Sequence, residues 1–360
     1  MNAAHVRVQR PLEGHALDRV EGRLAGLFAI LDAHRRSRKI IEQTFVSIAE
    51  GIQRLTLPLP TGPRHVHCYL VDGTLFDTGL GLGDAPWGAA GVERIAITHF
   101  HPDHVGGAAD AAAATGARVY QGALDYAQCE RVWGSGDWPE RIASWFRSHG
   151  VPAAIADQLI ADGHAFAPFV RYEHDPELLD DGSALEGWQV VTLPGHADGH
   201  LGFLRDGVLI GGDHLLATIS PAIGLYPESR PDPLGDYLES LQRTIELAPT
   251  VVYPGHGEPV RDAAARAREL IAHHEERLAV TAAALTGKPR SGYAISHVLF
   301  GDTLGPTQRR FAVAETLSHL ERLVRLGDAA RHEDGRTVTY TAPQLDDEKP
   351  PSTNAPGVGA

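Results

Sequence analysis

Three histidines and an aspartate fall within six residues, His99-Phe100-His101-Pro102-Asp103-His104, directly after the apolar run Ile95-Ala96-Ile97. Imidazole and carboxylate at this density make a poor core, because such groups are seldom buried unpaired, and a good cage for a divalent cation. Alternate residues of an extended segment share a face, so His99 and His101 can converge on one cation. Asp103 and His104 stand on the following helical turn and reach a second. The competing reading is a solvated polar loop, and the rest of the chain decides between the two.

Such a cluster needs a strand that stops and a helix that starts within a few residues. Ile95 to Ile97 reads as a buried strand, and Pro102, suited to a helix's first turn, begins the helix at once. The pattern recurs down the chain. Strand signals at Trp188 to Leu193, Val208 to Ile210 and Thr250 to Tyr253 are each followed by a polar landmark: Leu193-Pro194-Gly195-His196, Gly211-Gly212-Asp213-His214 and Tyr253-Pro254-Gly255-His256-Gly257. Every candidate therefore lies just past the end of a strand, where loops from a rigid scaffold converge. His200 and His214 flank candidates, and for each an uninvolved histidine is as good a reading.

The spacing His-x-His-x-Asp-His, with the later landmarks in order, resembles the metallo-β-lactamase-like hydrolases from about Val46 to about Glu258. That resemblance implies that His99, His101 and His196 hold one metal, that Asp103, His104 and His256 hold the other, and that Asp213 bridges them. It also implies that Asp77, in Asp77-Thr78-Gly79, supports a ligand histidine from behind; a plain strand-ending turn is the competing reading. The fold implied is α+β, a metallo-β-lactamase-like αββα sandwich.

Around that sandwich the chain divides by pattern. Residues 1–45 are expected to be a helical N-terminal extension, with Leu17 to Leu31 at helical spacing and Arg35-Arg36-Ser37-Arg38-Lys39 as a solvated helix end. Residues 46–260 form the metal-binding domain. It opens with short strands from Ile52 to Gly79, two of them joined by an Asp72-Gly73 hairpin turn; Asp206-Gly207 makes another. Gly79-Leu80-Gly81-Leu82-Gly83 lacks GxGxxG spacing and is read as a flexible loop. A helical insertion over 122–186 carries Trp133, Trp138, Trp145 and Phe146, which either pack or face a substrate. From 261 to 342 three helices and a hairpin outline a small winged-helix-like C-terminal domain, and 343–360 is a Pro-rich, disordered tail.

Composition narrows the function. A formal charge of −14 weighs against a chain that blankets phosphate backbones, although a local basic groove would survive it. In the third C-terminal helix, Arg309, Arg310, Arg322 and Arg325 are interrupted by Glu315 and Glu321, so a packing or substrate-wall role is favoured over DNA reading. No apolar run approaches the roughly 20 residues that span a bilayer. Two cysteines, Cys68 and Cys129, make no disulfide framework, and with no signal core near Met1 a reducing cytoplasm is expected.

Two cations of the implied kind, about 3.5–4 Å apart, share a water and bring its pKa toward about 7. Zinc is the expected metal, with iron or manganese compatible with the same donors. The activity expected first is hydrolysis of a thioester or related acyl ester by the bridging hydroxide, with Asp103 managing the proton. It follows the resemblance to glyoxalase II and to the branch of β-lactamase-like protein 2. A single-stranded RNA phosphodiesterase and a mononuclear iron sulfur dioxygenase are the alternatives. The partner expected is a small acyl substrate, with no membrane and with a homodimer possible through the N-terminal helix.

Overall fold

The computed structural model describes residues 44–59, 63–81 and 87–343. The expected helix from Leu17 to Leu31, the basic run from Arg35, the end of the glycine run at Leu82-Gly83 and the tail from Leu345 lie outside these residues.

Seven strands form the first sheet in sequence order: β1 (Val46–Ala49), β2 (Ile52–Pro58), β3 (His65–Val71), β4 (Thr74–Phe76), β5 (Arg94–Ala96), β6 (Arg118–Gly122) and β7 (Glu177–Leu179). The first four are antiparallel neighbours, and from β4 onward the pairing is parallel. The second sheet comprises β8 (Ala184–Leu185), β9 (Trp188–Thr192), β10 (Leu201–Arg205), β11 (Val208–Gly212) and β12 (Val251–Pro254), in the order β12-β11-β10-β9-β8. Asp72-Gly73 turns β3 into β4 with φ of 47° and 74°, and Asp206-Gly207 turns β10 into β11 with φ of 51° and 78°. Both pairs adopt the left-handed backbone that a two-residue hairpin turn of this hand requires.

The helices are α1 (Pro102–Val105), α2 (Ala108–Thr115), α3 (Ala123–Cys129), α4 (Trp138–Ser148), α5 (Ala153–Phe166), α6 (Pro233–Leu247), α7 (Ala263–Ala283), α8 (Gly292–Phe300) and α9 (Pro306–Leu326). Burial orders these elements into layers. Tyr69 and Phe76 of the first sheet meet Trp188, Phe203 and Ile210 of the second in a central core, where the Phe76 ring lies 5.0 Å from Trp188 and 5.1 Å from Phe203. The first sheet's outer face, with Leu55, Cys68 and Ile95, is covered by Val105, Ala108 and Ala111. The second sheet's outer face, with Val191, Leu209 and Val252, is covered by Leu234 and Tyr237 of α6 and Ala267 and Leu270 of α7. The result is the αββα order expected of the chain.

The C-terminal elements add a third sheet, β13 (Arg290–Ser291), β14 (Ala330–Asp334) and β15 (Thr337–Thr341), in the order β13-β15-β14. Helix α9 begins at Pro306, which fits the first helical position, and Gln308 Oε1 accepts from the Gly305 amide. The insertion and the C-terminal elements share one core. Ile142 and Phe146 of α4 and Leu159 of α5 pack with Ile295 of α8, Val313 and Leu317 of α9 and Tyr340 of β15. The Tyr293 amide also donates to the His149 carbonyl at 3.0 Å.

Buried histidines make these packed faces sensitive to acid. Burial pulls His149 at the end of α4 down to about 4, His274 on α7 to about 3 and His319 on α9 to about 4. The folded chain holds them neutral while the unfolded chain takes up protons below about 6.5. Their stability is therefore fully present above that value and is lost as pH falls toward about 3–4. Each adds a slope of up to about 1.4 kcal/mol per pH unit in that window. Denaturant midpoints of the metal-free chain should fall from pH 7 to pH 5, and less steeply for His274→Leu; equal slopes for the two proteins would contradict this.

Candidate metal centre

The site is built by five chain segments that each leave a strand at the same edge of the sandwich. After β5 the chain stays extended, with the Ile97 amide donating to the Tyr120 carbonyl at 2.9 Å and the Thr98 carbonyl accepting from the Leu201 amide at 2.8 Å. Extension holds until His101, at φ −62° and ψ 145°, and Pro102 then opens α1. His104 and Val105 donate their amides back to the His101 carbonyl at 2.9 and 3.0 Å. The switch from strand to helix thus occupies the residues between His99 and His104. Asp77 follows β4, His196 follows β9, Asp213 follows β11 and His256 follows β12.

The seven side chains singled out as ligands come together. Donor atoms of His99, His101 and His196 lie within 4.8 Å of one another, as do those of Asp103, His104 and His256, and those of His99, His104 and Asp213. Asp213 touches both halves, with Oδ2 3.6 Å from His196 Nε2 and 3.2 Å from His256 Nε2. Among the described residues, the ion-pair partners of Asp103 and Asp213 are all histidines. No arginine or lysine neutralises them.

Hydrogen bonds on the far side of each ring decide which nitrogen faces the cluster. The Thr98 hydroxyl donates to Asp77 Oδ2 at 2.8 Å, so its oxygen accepts from His99 Nδ1 at 3.0 Å and leaves His99 Nε2 free. His104 Nδ1 donates to Asp77 Oδ2 at 2.8 Å. His196 Nδ1 donates to the Ala222 carbonyl at 2.8 Å, and His256 Nδ1 donates to the His65 carbonyl at 2.6 Å. Four rings therefore point Nε2 inward, and His101 presents Nδ1, 2.8 Å from His196 Nε2. His99 Nε2, His104 Nε2 and Asp213 Oδ1 are buried with no hydrogen-bond partner among the described residues. Buried orphans of this kind call for an ion. Close packing holds the backbone to this geometry: a Cβ at Gly255 would sit 2.5 Å from His104 Cε1 and 2.6 Å from Asp213 Oδ1.

Electrostatics divide the cluster. Burial and the neighbouring imidazoles keep His99 well below its ordinary range and His101 at about 3, and burial lowers His196. These three are neutral donors. Burial also works against a charge on His104 and His256, but Asp213 and the adjacent carboxylates overcome it, raising His104 well above normal and His256 to about 10. The same pairing overcomes burial at Asp103, held at about 2, and at Asp213, held well below the usual carboxylate range. A cation at this half competes with protons, and its uptake releases them.

Asp77 lies behind His104, and its Oδ1 also accepts from the Thr98 amide at 2.8 Å. Several groups of the site went unsingled in the sequence. Thr98 turns His99, and the carbonyls of Ala222 and His65 turn His196 and His256. Asp125, in the first turn of α3, accepts from the Phe100 amide at 2.8 Å, and burial pushes its carboxyl up to about 8. His200 joins the site, stacked 4.8 Å from His99 and accepting from the Asp213 amide at 3.2 Å. His214 turns away and pairs with Thr244 of α6. Of the insertion's aromatic residues, Trp133 reaches the metal loop, donating from Nε1 to the Phe100 carbonyl at 3.0 Å, whereas Trp145 and Phe146 belong to the shared core. Cys68 and Cys129 are buried, and neither falls in a donor cluster.

A family profile of the metallo-beta-lactamase superfamily matches residues 61–256, and a profile of the metallo-beta-lactamase-like C-terminal domain matches residues 278–342. The chain is 27% identical over 323 residues to a probable metallo-hydrolase, YqjP, of Bacillus subtilis, spanning 81% of this chain and 98% of that protein. It is 28% identical over 188 residues to a hydroxyacylglutathione hydrolase of Methylobacillus flagellatus, spanning 52% of this chain and 57% of that one. The crystal structure of a metallo-beta-lactamase family protein from Thermus thermophilus aligns at 33% identity and a TM-score of 0.70, over 82% of this chain and all (100%) of that one. With its layered fold, its paired histidine and aspartate clusters and a profile match over more than half its length, the chain belongs to the metallo-beta-lactamase superfamily.

Proposed function

We propose that this chain is a hydrolase of thioesters or related acyl esters that works with two divalent cations, zinc in the first place. The observation that carries the reading is the convergence of five inward-facing imidazole nitrogens on two carboxylates with no basic side chain among them. His99, His101 and His196 would hold one cation and Asp103, His104 and His256 the other, with Asp213 between. When bound, such a pair supplies a nucleophilic water at neutral pH and an electrophilic grip on the acyl oxygen. Imidazole with carboxylate suits zinc, while iron or manganese accept the same donors.

The chain's own residues do the rest. Asp77, Thr98 and the carbonyls of His65 and Ala222 hold four of the five rings at one angle, so those donors need no rearrangement. Asp103 keeps 22% of its side chain exposed, and its Oδ2 lies 3.2 Å from His256 Nε2. In this reading that carboxylate would take a proton and pass it to solvent as the acyl bond breaks. A thiolate nucleophile is not on offer, since burial drives the thiols of both Cys68 and Cys129 well above their ordinary range. The likeness to a hydroxyacylglutathione hydrolase supports a thioester as the substrate class.

Nucleic acid is the weaker partner. Arg322 pairs with Asp232 at 2.7 Å, Arg325 lies 4.0 Å from the same carboxylate, and Arg309 is buried beneath the Gly301 carbonyl. Helix α9 therefore presents no free basic row of the kind phosphate contacts need.

Zinc-loaded protein should hydrolyse acyl thioesters in a panel that also holds lactones, β-lactams and phosphodiesters, and His101→Ala should lower kcat/KM by about 100-fold or more. Cleavage of single-stranded RNA with steep salt dependence, and none of thioesters, would overturn the substrate class. Iron in the purified protein with persulfide oxidation would overturn hydrolysis itself. Asp77→Asn should weaken cation binding about 10–100-fold in competition with a chromophoric chelator, because one side chain then serves three donors less well. Unchanged affinity would show that His99 and His104 are oriented by something else.

A further inference from the structure

Between β11 and α6 the chain runs for twenty residues, from Asp213 to Asp232, without a helix or strand, and it visits the metal centre and the C-terminal domain in turn. It starts at Asp213 itself. At Ala222 its carbonyl accepts from His196 Nδ1 at 2.8 Å. Three residues on, the Leu225 amide donates to the Ala314 carbonyl in the middle of α9 at 3.0 Å. It then returns to the metal loop, where the Arg230 amide donates to Asp198 Oδ2 at 2.9 Å, and it ends where Asp232 Oδ2 accepts from Arg322 of α9 at 2.7 Å. Its own Ile223 is fully buried in the core on the outer face of the second sheet, and Leu225 and Tyr226 pack on the C-terminal core.

We infer that α9 of the C-terminal domain sets the metal affinity of the His99, His101 and His196 half by docking this strap, with Ala314 as the positioning residue. A lone imidazole beside two others is free to turn, and the Ala222 carbonyl fixes His196 with Nε2 inward. That carbonyl is as well placed as the strap allows, and the strap's height above α9 is set by contact. A Cβ added at Gly224 would already lie 3.1 Å from the Ala314 Cβ and 2.8 Å from the Tyr226 ring. There is no slack at this contact. A larger side chain at Ala314, fully buried, must lift the strap and with it the Ala222 carbonyl. The His104 and His256 half takes its orientation from Asp77 and the His65 carbonyl, on the other side of the cluster, and meets the strap only at its first residue, Asp213, which follows directly on β11 and is remote in sequence from the α9 contact.

The inference rests on the two-cation reading proposed above, and the test separates the two. Full-length metal-free protein is titrated with zinc against a chromophoric chelator, and His196→Ala identifies which affinity belongs to its half. Ala314→Val should weaken that affinity by about tenfold, the effect of disturbing a group that orients a metal ligand, and leave the other within twofold. Ala314→Gly keeps the docking carbonyl but costs helix stability, so it should lower the metal-free melting temperature and leave both affinities unchanged. Arg322→Met, at the strap's far anchor, should act in the same direction as Ala314→Val. A folded Ala314→Val protein with wild-type affinities, or affinities that follow melting temperature across the three variants, overturns the inference. So does loss of the metal-free fold in both Ala314→Val and Arg322→Met, which would make the contact structural only. Wild-type protein that takes up no zinc removes the two-cation reading as well.

Discussion

The hydrogen bonds made by Asp77 tie together what the site cannot do without. One carboxyl group accepts from the Thr98 amide, the Thr98 hydroxyl and His104 Nδ1, all at 2.8 Å, and through Thr98 it also fixes His99. Asp77 adopts φ 61°, a conformation that an aspartate tolerates better than most residues, at the point where the chain leaves β4. Parallel pairing of β4 with β5 places that point beside Thr98. The alignment of two strands is thereby converted into the orientation of two imidazoles. Without it, rings 4.0 Å apart would have no reason to present the same nitrogen to the same space.

The same logic repeats around the cluster with backbone carbonyls in place of a carboxylate. His256 is held by His65 at the start of β3, and His196 by Ala222 on the strap. The restraints and the ligands they orient come from both sheets of the sandwich. The first sheet supplies Asp77 and His65, and the second supplies the loops that carry His196, Asp213 and His256. The C-terminal domain enters through α9 and the core it shares with the insertion, so the two segments that flank the metal loop are one packed body.

Much of this was legible in the sequence, for reasons that differ by residue. The cluster from His99 to His104 and the later landmarks announce themselves because side chains that bind cations are rare where an apolar strand has just ended. The hairpin turns at Asp72-Gly73 and Asp206-Gly207 were readable because few residue pairs accept positive φ twice. Asp77 was reachable only through resemblance, since one aspartate after a strand has many ordinary explanations. The carbonyls of His65 and Ala222 left no trace, because every residue has a carbonyl and only the tertiary fold selects one. Thr98 and Asp125 act through backbone amides and a neighbouring hydroxyl, which residue type alone does not reveal. His200 looked as ordinary as His214; what separates them is that the β10 end brings one under Asp213 while the other turns toward α6. The shared core of insertion and C-terminal domain was hidden for a further reason: apolar spacing shows that a face is buried, not against what.

The proposed site has seven side chains from four strand ends enclosing a pair of cations. Anomalous diffraction at the zinc edge from crystals of the zinc-loaded protein would locate them. Two peaks should appear, one against His99, His101 and His196 and one against Asp103, His104 and His256, with Asp213 in contact with both. A single peak, or peaks outside this cluster, would contradict it.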